Sequence, residues 1–213
     1  PASQSSFFYG ELLEKGTLKG KWITSRSGYL ASKMRERLQS SNSEEEFYEK
    51  LDEDNTRIKI NSFKVFNRDS LEKPLSEEFE IEIEQFASLQ SGLLAFNPYI
   101  DSKTTKNPFN LTERNYPIDF GSLIHEENYM EIKLPKGYVY APETRLKNIS
   151  MALPERAARY IFKVSDTAPD TLLIESATQF NKPLFLPEEY FDLKEFFSRI
   201  IQAQKLDIIL KKI

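Results

Sequence analysis

Residues 97–138 read NPYIDSKTTKNPFNLTERNYPIDFGSLIHEENYMEIKLPKGY and decide how the chain is organised. This stretch holds four of the eleven prolines and joins two regions with different patterns of apolar residues. Proline fixes φ and removes a backbone donor, so such a stretch favours a rigid loop over a ladder strand. We therefore expect a long Pro/Asn-rich loop over residues 97–126, with a strand beginning near Tyr129.

Upstream of the loop, the pattern predicts an α+β module over residues 10–86, in the order β-α-α-β-β. The predicted strands alternate apolar and polar residues: 16–25, 57–66 and 79–83. A shift of the alternation near Ser62 indicates a β-bulge. Asp52, Asp54 and Asn55 resemble part of a calcium loop but lack its later ligands and glycine, which favours a solvated helix end. Residues 1–9 are expected to be a disordered tail.

Downstream, residues 87–213 predict an antiparallel β-sandwich that carries a C-terminal helix. Its predicted strands are 87–96, 129–134, 149–153, 158–164 and 171–180. A helix over residues 187–205 begins with a proline and two acids, which suit a helix N-terminus. Residues 206–213 fit either a terminal strand or a continuation of the helix. The predicted fold class is thus α+β, mainly β.

The composition limits the chemistry of the chain. It has no cysteine, which excludes disulfides, thiolate nucleophiles and cysteine-bound metals. The net charge of −4 argues against nucleic acid as the main partner, and no apolar run approaches the ~20 residues of a membrane helix. We expect no cofactor and no metal.

The single histidine, His125, lies beside Glu126 and Glu127. A histidine near carboxylates could act as a base or bind a metal. Adjacent residues of a strand point to opposite faces, however, so the three side chains cannot all converge. A surface or turn histidine is the favoured interpretation.

The loop contains an ordered pattern, NPF…R.YP.DFG, followed by LP.GY at residues 134–138. Its members are Asn107, Pro108, Phe109, Arg114, Tyr116, Pro117, Asp119, Phe120 and Gly121. The pattern resembles the C-terminal, non-catalytic region of bacterial transglutaminase-like superfamily proteins, which are common in Bacteroidetes. The resemblance implies a larger parent protein with a Cys-His-Asp core, located in the cell envelope or periplasm. It supplies no catalytic residue in this chain.

We expect an accessory domain of a transglutaminase-like, protease-like envelope protein, which positions substrate or docks the catalytic core of the same parent chain. The nine pattern residues are the candidate structural or docking loop. Either an ion pair between Arg114 and Asp119 or backbone hydrogen bonds of these residues would pin that loop to the sheet. The alternative is a free-standing glycan- or peptide-binding module with an adhesive role. An enzyme in its own right is disfavoured by the missing nucleophile.

Overall fold

The computed structural model describes residues 2–48, 57–101 and 103–213. Its strands in chain order are β1 (Ala2–Leu12), β2 (Leu18–Ser27), β3 (Ile58–Phe66), β4 (Leu75–Ile83), β5 (Ala87–Gln90), β6 (Leu93–Phe96), β7 (Ile118–Asp119), β8 (Ile124–Lys133), β9 (Tyr138–Val139), β10 (Ile149–Ala152), β11 (Ala158–Ala168), β12 (Thr171–Phe180), β13 (Leu184–Phe185) and β14 (Ile208–Lys212). The two long helices are α1 (Gly28–Gln39) and α2 (Tyr190–Gln204). A helical turn occupies residues 44–48.

Eight strands form one sheet in the order β10-β11-β12-β8-β1-β2-β4-β3. All neighbours in it are antiparallel except β1 and β8, which run parallel. Parallel neighbours need a long crossover connection. The chain between the end of β1 and the start of β8 serves as that crossover connection.

Alternation along the strands gives the sheet one buried face, here called the inner face. On β4 it carries Leu75, Phe79, Ile81 and Ile83, all buried. Phe180 of β12 packs there against rings of α2. The opposite surface is called the outer face. Because a strand's side chains alternate between faces, these assignments fix the face of every residue on the regular strands.

In the first region, β2, α1, β3 and β4 follow one another in chain order, and the predicted second helix lies partly outside the described residues. The bulge expected near Ser62 lies between Ile60 and Ser62, where the register of β3 on β4 shifts. The disorder or tail predicted for residues 1–9 is wrong for the described part of that segment, because residues 2–9 lie in β1, between β2 and β8. The boundary predicted at residue 86 does not divide the sheet, since β1 and β8 come from opposite sides of it. The Asp52–Asn55 prediction lies outside the described residues.

A mainly β fold with a multistranded sheet and a C-terminal helix is confirmed, whereas the sandwich predicted for residues 87–213 is not. The strands of that region are divided among the large sheet, a four-stranded sheet in the order β5-β6-β14-β9 and the small pair β13-β7. The single strand predicted over 87–96 is a hairpin. Ser91 and Gly92, with φ of 51° and 79°, form its tight turn.

The C-terminal helix follows a 3₁₀ turn at Pro187–Glu189 and ends at Gln204, as predicted. The open question about residues 206–213 is settled in favour of a strand, because β14 pairs with both β6 and β9. Within the described part of the chain, neither helix has the length and apolar character needed to cross a membrane.

Candidate functional site

The long loop, which we call the connector (residues 97–126), runs along α2 from its C-terminal to its N-terminal end. Asn97 Nδ2 donates to the carbonyl of Gln204 at 2.9 Å, and the Thr104 amide donates to Gln204 Oε1 at 2.7 Å. Ten or so residues earlier on the helix, Lys194 donates to the carbonyl of Leu111 at 2.8 Å. The connector is therefore an ordered element attached to the helix along its length.

Asn107 provides the central attachment. Its Nδ2 donates to the Lys194 carbonyl and to Ser198 Oγ, both at 2.8 Å. Its Oδ1 accepts the backbone amide of Phe109 at 2.9 Å, which closes a local turn. One asparagine thus fixes both the loop's own shape and its position on α2.

Phe109 buries the connector in an aromatic cluster. Its ring is 6% exposed and makes edge contacts with Phe197 at 5.0 Å, Tyr190 at 6.1 Å and Phe120 at 6.4 Å between centroids. Phe120 continues the cluster to Phe180 at 4.9 Å. The rings of the cluster come from the connector, β12, β13 and α2: Phe109, Phe120, Phe180, Phe185, Tyr190, Phe196 and Phe197. This packing joins the loop to the sheet through the helix.

Of the two alternatives predicted for Arg114 and Asp119, backbone hydrogen bonds form and an ion pair does not. Arg114 Nε donates instead to the carbonyl of Tyr116 at 3.1 Å, and Asp119 Oδ1 accepts the amide of Gly121 at 2.8 Å. Two-residue spacing favours these local bonds, because side chain and backbone are already near each other. Asp119 also pairs with Leu184 as part of β7, while Gly121 adopts a φ of +73° that suits glycine.

The pattern residues therefore divide into three sets. Asn107, Phe109 and Phe120 hold the loop in place. Arg114, Asp119 and Gly121 shape it locally. Pro108, Tyr116 and Pro117 face solvent, with Tyr116 79% exposed.

The exposed side of the connector and the segments next to it carry large apolar side chains, which we call the connector patch. Its members are Leu111, Tyr116, Leu184, Leu186 and Phe191, with exposed fractions from 43% to 79%. Leu111 lies at the first turns of α2, where its carbonyl also accepts the Tyr190 hydroxyl at 3.0 Å. Leu184 pairs with Asp119. The fold thus brings together residues that are up to 80 positions apart in sequence.

Of these five side chains, only Tyr116 was a candidate from the sequence. The position of Phe191 could have identified it, because it lies outside the apolar face formed by Tyr190, Leu193 and Phe196. An apolar residue on the polar side of a helix requires either a partner or exposure. Leu111, Leu184 and Leu186 carry no such local signal.

Elsewhere on the inner face, buried polar groups satisfy one another. Tyr99 Oη lies 2.8 Å from Tyr160 Oη and donates to Ser176 Oγ at 3.1 Å, beside a cavity of about 30 Å³. A small cavity lined by polar groups has room for ordered water. Burial raises the pKa of both tyrosines, so the phenols stay protonated at neutral pH.

A second buried network surrounds Glu77, which is 1% exposed. Its carboxylate accepts Tyr48 Oη at 2.6 Å and Thr24 Oγ1 at 3.2 Å, and it pairs with Arg26. Each of these polar groups has a hydrogen-bond or ion-pair partner within the network, which is typical of a structural role. Burial and the Glu77 charge raise the pKa of Tyr48.

His125 and Glu127 lie on the outer face, while Glu126 lies on the inner face, as strand alternation predicts. Burial and the charge of Asp101 raise the pKa of Glu126. Within residues 2–48, 57–101 and 103–213, three or more His, Asp or Glu side chains nowhere converge in a way that could hold a metal ion.

The chain aligns with the crystal structure of a candidate protease from Parabacteroides distasonis ATCC 8503. The TM-score is 0.46 and the sequence identity 16%, over 62% of this chain and 28% of that chain. This chain thus spans less than a third of that protein. No curated protein sequence matches it.

The model of a family described as a domain of unknown function with a solved structure, DUF3858, matches residues 92–210. The matched segment covers more than half of the chain and includes the connector, α2 and most of β14. The chain therefore belongs to the DUF3858 family.

Proposed function

We propose that this chain is a non-catalytic accessory domain that docks against the catalytic part of a larger parent protein through the connector patch. The observation that carries the proposal is that an ordered loop and the segments beside it hold five large apolar side chains in water. Large apolar patches on the surface of monomeric proteins mark interaction sites. The patch lies within the family-matched residues 92–210.

The rigidity of the connector supports docking. Asn107 and Phe109 fix the loop before any partner arrives, so little conformational entropy is lost on binding. Tyr116 and Phe191 supply the large, exposed aromatic anchors that dominate binding energy at protein interfaces. The surrounding charged residues, among them Lys194, would form the polar rim.

The NPF…R.YP.DFG resemblance supports a parent with a transglutaminase-like, protease-like core. The 213 residues contain no cysteine, so the nucleophile of such a core would come from another part of the parent. The single histidine, His125, lies on the outer face of the sheet, near the start of β8. The same resemblance supports an envelope or periplasmic location, which cell fractionation of the full-length parent tests directly.

The docking proposal is tested with this chain and the separately expressed catalytic part of its parent reading frame. Isothermal titration calorimetry measures their affinity for the wild-type chain and for the variant Leu186→Ser/Phe191→Ser. The matched control is Tyr29→Ser/Leu71→Ser, which removes two apolar side chains, 69% and 80% exposed, that are not members of the connector patch. We expect the patch variant to raise Kd at least tenfold and the control to change it less than about twofold.

Two outcomes would contradict the proposal. Equal weakening by both variants would show that the connector patch is not the contact surface. A parent reading frame with no catalytic core would remove the partner altogether and leave the chain as a free-standing module.

A further inference from the structure

The two edge strands of the eight-stranded sheet, β3 and β10, differ in how they are protected. On β3 there is a bulge between Ile60 and Ser62, and Lys59 and Lys64 are exposed. Bulges and lysines are devices that stop an edge strand from pairing with another chain. The strand β10 has the sequence ISMA, with no charged residue, no proline and no bulge. Its short length limits an added ladder, but nothing in its sequence blocks one.

Two residues of β10 direct their backbone groups away from the sheet. The Leu153 amide, just after the strand, donates to the carbonyl of Ala158 on β11 at 2.9 Å. Because residues of an antiparallel pair alternate in the direction of their backbone groups, Met151 also bonds β11, whereas Ser150 and Ala152 point their N–H and C=O groups outward. No described residue bonds any of these four outward groups. They are therefore available to an additional strand.

A groove lies between β10 and the helix α2. It consists of two adjoining spaces of about 380 and 400 Å³, each within the size range of ligand pockets. The strand side of the first space is formed by residues 150–154, and its helix side by Asp192, Glu195, Phe196 and Arg199. The connector is attached along a different flank of α2, at Lys194 and Ser198. The groove is therefore separate from the connector patch.

The outward backbone groups and the groove together specify an extended polypeptide as the occupant. Two N–H donors and two carbonyl acceptors at strand spacing match the backbone of one further strand. Side chains of such a strand alternate between faces, so the residue opposite Met151 points inward, into the groove that Phe196 also lines. Both of these neighbours are apolar, and the flexible thioether of Met151 adapts to the shape of an apolar side chain.

A second copy of this chain fits the groove less well. In a copy, Ile149, Met151 and Leu153 are already packed against that copy's own core, so these side chains cannot enter the groove of the first. A two-fold contact between the β10 edges would also bring the two grooves to the same interface and leave both unfilled. A single extended segment has free inward side chains that can fill the groove.

We propose that β10 and the groove beside it bind an extended segment of a partner protein, which adds a strand to this edge of the sheet and places alternate apolar side chains against α2. Main-chain hydrogen bonds to Ser150 and Ala152 supply affinity, and the alternate side chains in the groove supply selectivity. The inference is independent of the docking proposal, because it uses neither the connector patch nor the catalytic part of the parent.

The test uses the complete 213-residue chain, labelled with ¹⁵N, and three acetylated and amidated peptides. The first alternates threonine and leucine, with a lysine at each end for solubility. The second carries N-methyl groups on its threonines, and the third on its leucines. We expect saturable amide shifts in β10 and at residues 192–199 with the first peptide. One methylated peptide should bind about tenfold or more weakly and the other within about threefold of the first, because a strand in either direction bonds β10 through alternate residues only.

A substitution in the edge strand gives a second measurement. Ala152→Pro removes an outward N–H donor and places ring carbons where the added strand would lie, while the bonds between β10 and β11 remain, since proline is tolerated on an edge strand whose N–H faces solvent. It should raise Kd about tenfold or more. The matched control, Ala152→Val, changes the same exposed side chain but keeps the donor, and should change Kd less than about threefold.

Equal affinities of the two methylated peptides would overturn the proposal, and this comparison uses the wild-type chain, so it does not depend on how well Ala152→Pro folds. Equal effects of the two Ala152 variants would overturn it as well. The absence of saturable binding, or shifts centred on β3 or on the connector patch, would do the same. Self-association of the wild-type chain in sedimentation equilibrium that Ala152→Pro abolishes would identify a second copy as the occupant and contradict the proposal.

Discussion

Replacement of Phe109 by alanine is predicted to lower the free energy of unfolding by about 3–5 kcal/mol, the usual range for a buried phenylalanine. The ring is 6% exposed, so its transfer from water contributes about 1.5–3 kcal/mol. Its three edge contacts, with Phe120, Tyr190 and Phe197, each add about 0.5–1.5 kcal/mol. The connector would lose its main apolar anchor.

Urea unfolding measures this loss, with the single tryptophan as the probe. Trp22 lies on β2, far from the connector in sequence, and reports on the large sheet. Phe191→Ala is the matched control, because it removes the same atoms from a side chain that is 61% exposed. The control should cost less than about 1 kcal/mol, since little buried surface is lost. The two variants thus compare the stability contributed by the buried Phe109 with that contributed by Phe191 of the exposed connector patch.

A loss below about 1 kcal/mol for Phe109→Ala would refute the reasoning, because the ring could not then be packed as described. An equal loss for Phe191→Ala would refute it as well. In thermal unfolding, the expected change corresponds to a Tm lower by at least about 6 °C for a chain of this size.

Four further substitutions test separate features. Arg114→Ala should change Tm by less than about 2 °C in differential scanning calorimetry, because Arg114 makes one exposed local hydrogen bond worth about 0.5 kcal/mol. Gly121→Ala should cost about 1 kcal/mol in urea unfolding through its φ of +73°, since nothing lies near the added Cβ. Arg35→Lys should cost about 2–4 kcal/mol in the same assay, because a lysine cannot reach the four carbonyls that this buried guanidinium bonds, those of Asn67, Arg68, Ser70 and Lys73. Glu126→Gln should stabilise the fold at pH 7, and stability curves over pH should show the difference from wild type closing below pH 4.5. Burial and Asp101 raise the pKa of Glu126 above 4.5, so the folded state favours the protonated carboxyl and loses stability as pH rises through that pKa.

Local pattern was sufficient for much of the fold. The strand β12, the helix α2 and even the bulge before Ser62 follow from the spacing of apolar residues, because each depends on neighbours in sequence. The proline-rich stretch was correctly expected to be an ordered loop. The hairpin turn at Ser91 and Gly92 was missed, because the apolar residues on either side merge into one run.

The local sequence pattern did not predict which strands pair when they lie far apart in sequence. The start of the chain resembles a polar tail in sequence, yet residues 2–9 form a central strand of the sheet. Ser6, for example, faces the core and accepts a hydrogen bond from Trp22 Nε1 at 2.6 Å. The parallel partner of β1 lies more than a hundred residues away on β8. Nothing local in the sequence encodes that neighbour.

The sequence predicted where the candidate site lies, but only some of the contacts that hold it. Asn107 and Phe109 were selected from a family-like pattern, and they do anchor the loop. For Arg114 and Asp119, the sequence left an ion pair and backbone hydrogen bonds open. Both side chains bond backbone groups two residues away, which are already close to them along the chain.

Hydrogen–deuterium exchange on the full-length parent protein tests the docking proposal most directly. Amides at residues 110–119 and 184–191 are compared between this chain alone and the parent under the same conditions. Docking through the connector patch predicts stronger protection of these two segments in the parent, with amide exchange in the strands of the large sheet unchanged. Unchanged exchange at both segments, with protection appearing elsewhere, would contradict it.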